Sequence, residues 1–154
     1  MGALALAEFA KARPAGRILA LDPGRVRIGV AVSDETRTIA QPHSTLVRRG
    51  DRRTMAEVQA LVRLLEVTEI VVGLPIQLDG TEGPAVAEAR HFGAQVARAT
   101  GLPVSYADER LTTRQAERAL LGQGVSREGR RQVGDRVAAA LLLQGVLAGS
   151  RARP

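Results

Sequence analysis

The sequence predicts an α/β protein in which one mixed β-sheet is flanked by helices on both faces. Two observations lead to this class: an apolar hairpin pattern comes first, and helix and strand patterns then alternate along the chain. A hairpin makes its strands antiparallel, whereas strand–helix–strand units make strands parallel and need helices to cover the sheet. The 154 residues, 45% of them hydrophobic, suit a single domain with its own core.

Residues 1–16 precede the first strand pattern and are predicted to form an N-terminal extension. Charged residues fall where the core of a signal peptide would be apolar, and no apolar run reaches the ~20 residues that cross a bilayer. We therefore expect a cytoplasmic protein with no membrane partner. The single domain is expected over residues 17–149, followed by a tail at 150–154.

The first half of the domain is interpreted as three strands. RILALD at 17–22 is an apolar run, a Pro-Gly turn follows, and RIGVAVSD returns the chain over 27–34. A third strand is expected near 39–47, at a sheet edge or irregular, because Pro42 cannot donate a hydrogen bond to a neighbouring strand.

Helix and strand patterns alternate in the second half. Asp51 is expected to cap a helix whose apolar residues recur at helical spacing, namely Met55, Val58, Leu61, Val62 and Leu65. A buried strand is predicted over 69–75, followed by a Gly- and Pro-rich loop, PIQLDGTEGP. A second helix over 82–100 and a strand over 104–108 complete this part.

Two further helices are predicted at the C-terminal end. Thr112 and Gln115 have the spacing of a capping box, which indicates a helix from there to Gly122. The last helix is expected to begin at Asp135, and the almost unbroken apolar content of DRVAAALLLQGVL indicates that it is packed on most sides.

The residue types limit the metals that the chain can bind. There are no cysteines, which excludes disulfides and thiolate metal sites and fits a reducing compartment. His43 and His91 are the only histidines, so a zinc site with several imidazole ligands is excluded as well. Any metal would have to bind to carboxylates.

The net charge indicates a polyanionic partner. The 22 basic residues outnumber the 16 acidic ones, and nearly all of them are arginine, which forms forked contacts with phosphate. Arginines cluster in RRGDRR at 48–53 and between Arg110 and Arg136. Arginine-rich codon usage would give the same overall bias, and this alternative stays open. With one tyrosine and no tryptophan, base stacking is not expected to be a main source of affinity.

Acidic residues stand at the ends of predicted elements. Asp22 ends the first strand, Asp108 and Glu109 end the last strand, and Asp135 opens the last helix. Ligands of open α/β sheets bind outside the carboxyl ends of strands, so neighbouring strands would gather these acids at one edge. Such a set of oxygen ligands suits Mg²⁺ or Mn²⁺, and two such ions can activate a water for attack on a phosphodiester.

Each acid can also have a purely structural role, and the spacing alone does not decide between that role and metal binding. Asp22 can be a turn residue that hydrogen-bonds its own backbone, and Asp135 can be only a helix N-cap. Asp108 and Glu109 can pair with nearby arginines on the surface.

Four segments, in order, resemble the motifs of a known family. They are ALDPGRVRIGVAVSD, IVVGLPIQLDGTEG, DERLTTRQAE and DRVAAALLLQ, and they extend over roughly residues 17–147. They resemble the YqgF/RuvX family, a branch of the ribonuclease H-like nucleases related to the RuvC Holliday junction resolvases. The resemblance implies a ribonuclease H-like fold with a carboxylate cluster that holds divalent metal.

Carried over position by position, the resemblance implies catalytic acids at Asp22, Glu109 and Asp135. All three would bind the metal, with Asp108 as a further candidate ligand, and Gly24 would allow a tight turn. Candidates for phosphate contact are Arg27, Arg110, Arg114, Arg130 and Arg131. The family's segment before the fourth motif is usually rich in lysine, whereas here it is SREGRRQVG, a basic segment interrupted by two glycines.

The hypothesis is therefore Mg²⁺- or Mn²⁺-dependent hydrolysis of phosphodiester bonds in structured nucleic acid. The resemblance implies processing of the 5′ end of pre-16S rRNA during ribosome biogenesis or, as an alternative, resolution of Holliday junctions in DNA recombination and repair. A non-catalytic nucleic-acid-binding protein is the alternative of another class. An actin-like ATPase is disfavoured because such proteins clamp ATP between two domains of this kind. Endonuclease and exonuclease action, and a monomer and a homodimer, stay open.

Overall fold

The computed structural model of the protein describes residues 16–109 and 127–152. These residues form five strands and three helices. The strands are β1 (Arg17–Pro23), β2 (Arg27–Ser33), β3 (Ala40–Val47), β4 (Val67–Leu74) and β5 (Val104–Asp108). The helices are α1 (Asp51–Leu64), α2 (Pro84–Thr100) and α3 (Arg127–Ala152). The predicted N-terminal extension up to residue 15, the helix predicted from Thr112 and the arginines Arg110 and Arg114 lie outside the described residues.

The strands form one mixed sheet in the order β3-β2-β1-β4-β5. The β1–β2 and β2–β3 pairs are antiparallel, because each is a hairpin, and the β1–β4 and β4–β5 pairs are parallel, because helices connect them. The predicted fold class is confirmed. The edge position of β3 is confirmed too, and its register against β2 shifts beside Pro42.

Helices cover both faces of the sheet, and strand alternation decides what each face contains. Leu19 and Leu21 of β1 pack in the core under α1 and α2, whereas Ile18 and Ala20 pack against α3 on the opposite face. Alanines stand on both sides of this contact, Ala20 and Ala31 on the sheet and Ala139 and Ala140 on the helix. Small side chains let α3 lie close to the sheet.

Helix α3 is attached to the edge strand along its length. The Thr45 hydroxyl donates to the Gln132 carbonyl at 2.5 Å, and the Ala40 N–H donates to the Gln144 side chain at 3.0 Å. Gln144 in turn donates to the Thr38 carbonyl at 3.2 Å. These bonds fix the position of the helix on the sheet, and with it the position of Asp135.

The structure corrects three predicted helix starts. Helix α1 is capped by Gly50 with no side-chain hydrogen bond, so Asp51 is a first-turn residue whose carboxylate complements the helix dipole. Helix α2 begins at Pro84, not at residue 82, because proline suits the first helical position. Helix α3 begins at Arg127 and passes through Gly129 and Gly134.

The early start of α3 excludes the interpretation of Asp135 as an N-cap, since the residue lies inside the helix. A helical glycine costs only about 1 kcal/mol relative to alanine, which packing on the sheet can offset. The prediction that the segment 135–147 is packed on most sides is confirmed, since all of its residues except Gln144 and Gly145 are buried or half-buried. Among the helices that the structure describes, none has both the length and the apolar character needed to cross a membrane.

Candidate active site

Strand β1, the central strand, places Asp22 at its carboxyl end, on the face of the sheet that α3 covers. Ile18 and Ala20 point toward α3, and Asp22 follows in the same alternation. Its partner across the β1–β2 pair is Gly29. The turn that follows is closed by the Gly24 N–H, which donates to the Arg27 carbonyl at 2.8 Å.

Two glycines stand on either side of Asp22 and make room for its neighbours. A Cβ on Gly29 of β2 would lie 1.9 Å from the carbonyl oxygen of Asp135, so only glycine lets α3 approach here. A Cβ on Gly73 of β4 would lie 2.7 Å from Oε2 of Glu109 and 3.4 Å from Oδ1 of Asp22. The missing side chains thus admit an acid on each side of Asp22.

Glu109 lies against Asp22 and shares a proton with it. Burial raises the pKa of Glu109 to about 9, and the hydrogen bond with Asp22 and the charges of Asp22 and Asp108 add to the effect. Burial also raises the pKa of Asp22, the hydrogen bond from Glu109 lowers it, and the charge of Asp135 raises it, with a net increase. At neutral pH the Glu109 carboxyl is therefore protonated and hydrogen-bonded to Asp22.

Asp135 is held by Arg27. Nε of Arg27 donates to Oδ2 of Asp135 at 2.6 Å, with the two side chains 21% and 31% exposed. Arg27 is predicted from the sequence to contact phosphate, but the structure places its guanidinium on an acid of the site. This ion pair sets the direction in which the Asp135 carboxylate points.

The three acids line one open pocket of about 360 Å³. Its wall also contains three charged residues that are not among the sequence-based candidates, Arg25, Arg48 and Glu88. Arg48 belongs to the RRGDRR cluster, which is the one signal that could have identified it. A single arginine in a turn and a single glutamate on a helix carry no such signal.

Asp108 does not join the other acids. Ala107 packs on the α3 side of the sheet, so strand alternation turns Asp108 to the other side, where it is exposed. Arg130 and Arg131 lie in the first turns of α3, and the structure describes only their backbone. Of the four acids predicted from the sequence, the structure thus brings Asp22, Glu109 and Asp135 together in the pocket and leaves Asp108 outside it.

The donor set fits a divalent cation by chemistry. All three acids offer oxygen ligands, which Mg²⁺ and Mn²⁺ prefer, and a bound cation would favour the charged forms of Asp22 and Glu109, whose pKa values burial raises. Within residues 16–109 and 127–152, no three acidic or histidine side chains already surround one position. Glu109 is directed to Asp22, and Asp135 is directed to Arg27.

Comparison with known proteins gives consistent matches over almost the whole described chain. The RuvX family, described as "Holliday junction resolvase", matches residues 16–149. A "putative pre-16S rRNA nuclease" of Anaeromyxobacter dehalogenans is 47% identical over 131 residues, which are 85% of this chain and 96% of the relative. A protein of the same name from Anaplasma marginale is 44% identical over 85% of this chain and 83% of its own length.

A solved structure shares the fold. The RuvC protein of Thermus thermophilus, in complex with a Holliday junction substrate, superposes with a TM-score of 0.55 over 89% of this chain and 96% of its own. Its sequence identity is 17%, so the likeness concerns the fold alone. The ribonuclease H-like architecture implied by the sequence motifs is confirmed by this superposition.

Proposed function

The chain belongs to the RuvX family, and from this membership we propose that it is a nuclease that processes the 5′ end of pre-16S rRNA. The relatives that carry this name align over at least 83% of their length. The observation that carries the proposal is the meeting of Asp22, Glu109 and Asp135 in one pocket at the edge of the sheet. An acid pocket of this kind supports hydrolysis of a phosphodiester.

We propose Mg²⁺ or Mn²⁺ as the cofactor, with Asp22, Glu109 and Asp135 as the ligands. A divalent metal bound there would lower the pKa of a water and stabilise negative charge on the phosphate. Asp108, a fourth candidate ligand by sequence, has no place in this proposal because it is exposed on the other side of the sheet.

The chain's own residues prepare the site for such an ion. Asp22 lies between the other two acids. A metal ion bound by Asp22 could therefore also be bound by Glu109 or by Asp135. Glu109 has to release its proton to bind a cation, and its raised pKa opposes that release at neutral pH. Arg27 holds Asp135 in the pocket and keeps its charge from adding fully to that of Asp22.

Resolution of Holliday junctions is the second candidate function, and the description of the matching family favours it. A resolvase cuts two strands symmetrically and needs two sites, which a homodimer supplies, whereas trimming an RNA end needs one. A non-catalytic binding protein would have no reason to keep all three acids, and all three are present.

Cleavage assays on two labelled substrates test the proposal. One is an RNA with the 5′ precursor segment of 16S rRNA, the other a four-way DNA junction, each with Mg²⁺ or Mn²⁺ and with chelator. We expect metal-dependent cleavage of the RNA, abolished in Asp22→Asn. Preferential cleavage of the junction by a dimer would assign the second function, and cleavage of neither substrate would contradict both.

A further inference from the structure

Arg48 stands where two pockets meet. It follows β3 directly and lines the acid pocket together with Asp22 and Glu109. It also lines a second pocket of about 380 Å³, between the start of α1 and the α2 helix, whose wall includes Phe92 and Gln95. The two pockets are neighbours, because Arg48 and Glu88 line both of them.

The side chain of Arg48 rests on an aromatic platform. Its guanidinium lies 5.0 Å from the centroid of the Phe92 ring, and Phe92 is only 2% exposed. The Arg48 backbone N–H donates to the Val26 carbonyl at 2.8 Å, which fixes the residue to the β1–β2 turn. Stacking uses the face of a guanidinium and leaves the N–H groups on its edge for a ligand.

The guanidinium has hydrogen-bonding capacity that the protein does not use. Its Nε is buried without a hydrogen-bond partner. Among the ion pairs of the described residues, none within 4.0 Å involves Arg48. A buried charged donor without an acceptor is costly, so its presence beside the acid pocket points to an acceptor that arrives with the substrate.

We propose that Arg48 binds a backbone phosphate of the nucleic-acid strand, next to the phosphate that is cleaved. The inference rests on the proposed function, since it extends the same site by one nucleotide. A forked guanidinium matches two phosphate oxygens. Arg49 and Arg52 are exposed and close to Arg48 in sequence, whereas Glu88 lines both pockets and Asp51 lines the second with negative charge. The strand therefore leaves the acids over Arg48 toward Arg49 and Arg52.

Binding affinity tests the contact directly. All variants carry Asp22→Asn so that the RNA stays intact, and Arg63→Ala is the matched control, because it removes one exposed arginine from the far end of α1. We expect Arg48→Ala to weaken RNA binding about tenfold and to lower the slope of log Kd against log salt by about one. Arg48→Lys keeps the charge but not the fork, so about threefold weaker binding is expected.

A substrate with one neutral phosphate identifies the partner. Methylphosphonate is introduced singly at each linkage near the cut, and at one position it should weaken binding to the Arg48-containing protein about tenfold while leaving Arg48→Ala unaffected. A purely structural role of Arg48 would show equal losses for all linkages. Melting temperatures of Arg48→Ala and Arg48→Lys, measured alongside, show whether either variant is misfolded.

The outcomes separate this inference from the proposed function. If the wild type cleaves and Arg48→Ala binds with unchanged affinity and salt slope, the inference is overturned and the nuclease assignment stands. If inorganic phosphate at equal phosphate concentration displaces the RNA, the subsite belongs to a free anion and the strand path is wrong. If the wild type neither binds nor cleaves nucleic acid, both proposals fail together.

Discussion

Replacing Gly29 by alanine should move α3 and with it Asp135. The new Cβ would lie 1.9 Å from the Asp135 carbonyl oxygen and 3.2 Å from the Arg136 nitrogen. A carbon–oxygen contact needs about 3.3 Å, so the helix has to withdraw by about 1.4 Å at this point. The obstacle is backbone on both sides, a β-strand and a helix, and rotation of a side chain cannot relieve it.

The expected cost has two parts. Overpacking of this kind costs about 1–3 kcal/mol of stability, which lowers the melting temperature by about 2–12 °C for a domain of this size. A catalytic group displaced by about 1 Å can cost about a hundredfold in rate, so cleavage should suffer more than folding. Melting curves and single-turnover cleavage of the precursor RNA measure the two parts separately.

Gly145→Ala and Gly149→Ala are the matched controls on the same helix. A Cβ at either position meets nothing within 4 Å, so alanine should stabilise the helix by up to about 1 kcal/mol and leave cleavage unchanged. If Gly29→Ala melts and cleaves like the wild type, the close approach of α3 to β2 is not what positions Asp135, and the reasoning is refuted.

Three further predictions concern the acids themselves. Gly73→Ala should displace the flexible end of Glu109, which lies 2.7 Å from the new Cβ. Cleavage should therefore fall about tenfold or more while the melting temperature changes little. A large drop in the melting temperature alongside the loss of cleavage would contradict this. Because the pKa of Glu109 is about 9 when folded and 4.5 ordinarily, its carboxyl is protonated only in the folded state between these values, and stability should fall as pH rises through that window. Glu109→Gln removes this contribution, so in chelator its melting temperature should fall less steeply with pH than that of the wild type, and parallel curves would be inconsistent with the shared proton. Arg27→Ala should lower kcat about tenfold or more with RNA affinity unchanged, since it releases Asp135 rather than a phosphate. Arg27→Lys should recover only part of the lost kcat. A loss confined to RNA affinity would instead assign Arg27 to phosphate binding.

The fold could be predicted from the sequence because its signals are local. Alternation in β1 and β2, the Pro-Gly turn and the helical spacing after Asp51 each specify one element, and parallel pairing follows from the helices between strands. Helix ends were predicted less well. The start of α3 depends on packing against β2 and β3, which outweighs the two glycines that mark a break in the sequence.

The site could be predicted only in part. Asp22 lies in the last residues of β1 and Glu109 directly follows β5, so the sheet topology alone brings them to the same end of the strands. The sequence pattern does not show what Gly29 and Gly73 do, because a strand glycine indicates a close approach but not its partner. Strands β2 and β3 separate Arg48 from Asp22 along the chain. Only the folded hairpin and the Phe92 ring bring the Arg48 guanidinium to the acids.

The most direct test of the central claim is a crystal structure with Mn²⁺, in which anomalous scattering locates the metal. We expect at least one ion bound by Asp22 and Glu109 oxygens at about 2 Å, with the other carboxylate oxygen of Asp135 toward the ion while Oδ2 stays on Arg27, and no such ion in Asp22→Asn. A protein that cleaves its substrate with Mn²⁺ but shows no metal at these acids would contradict the account.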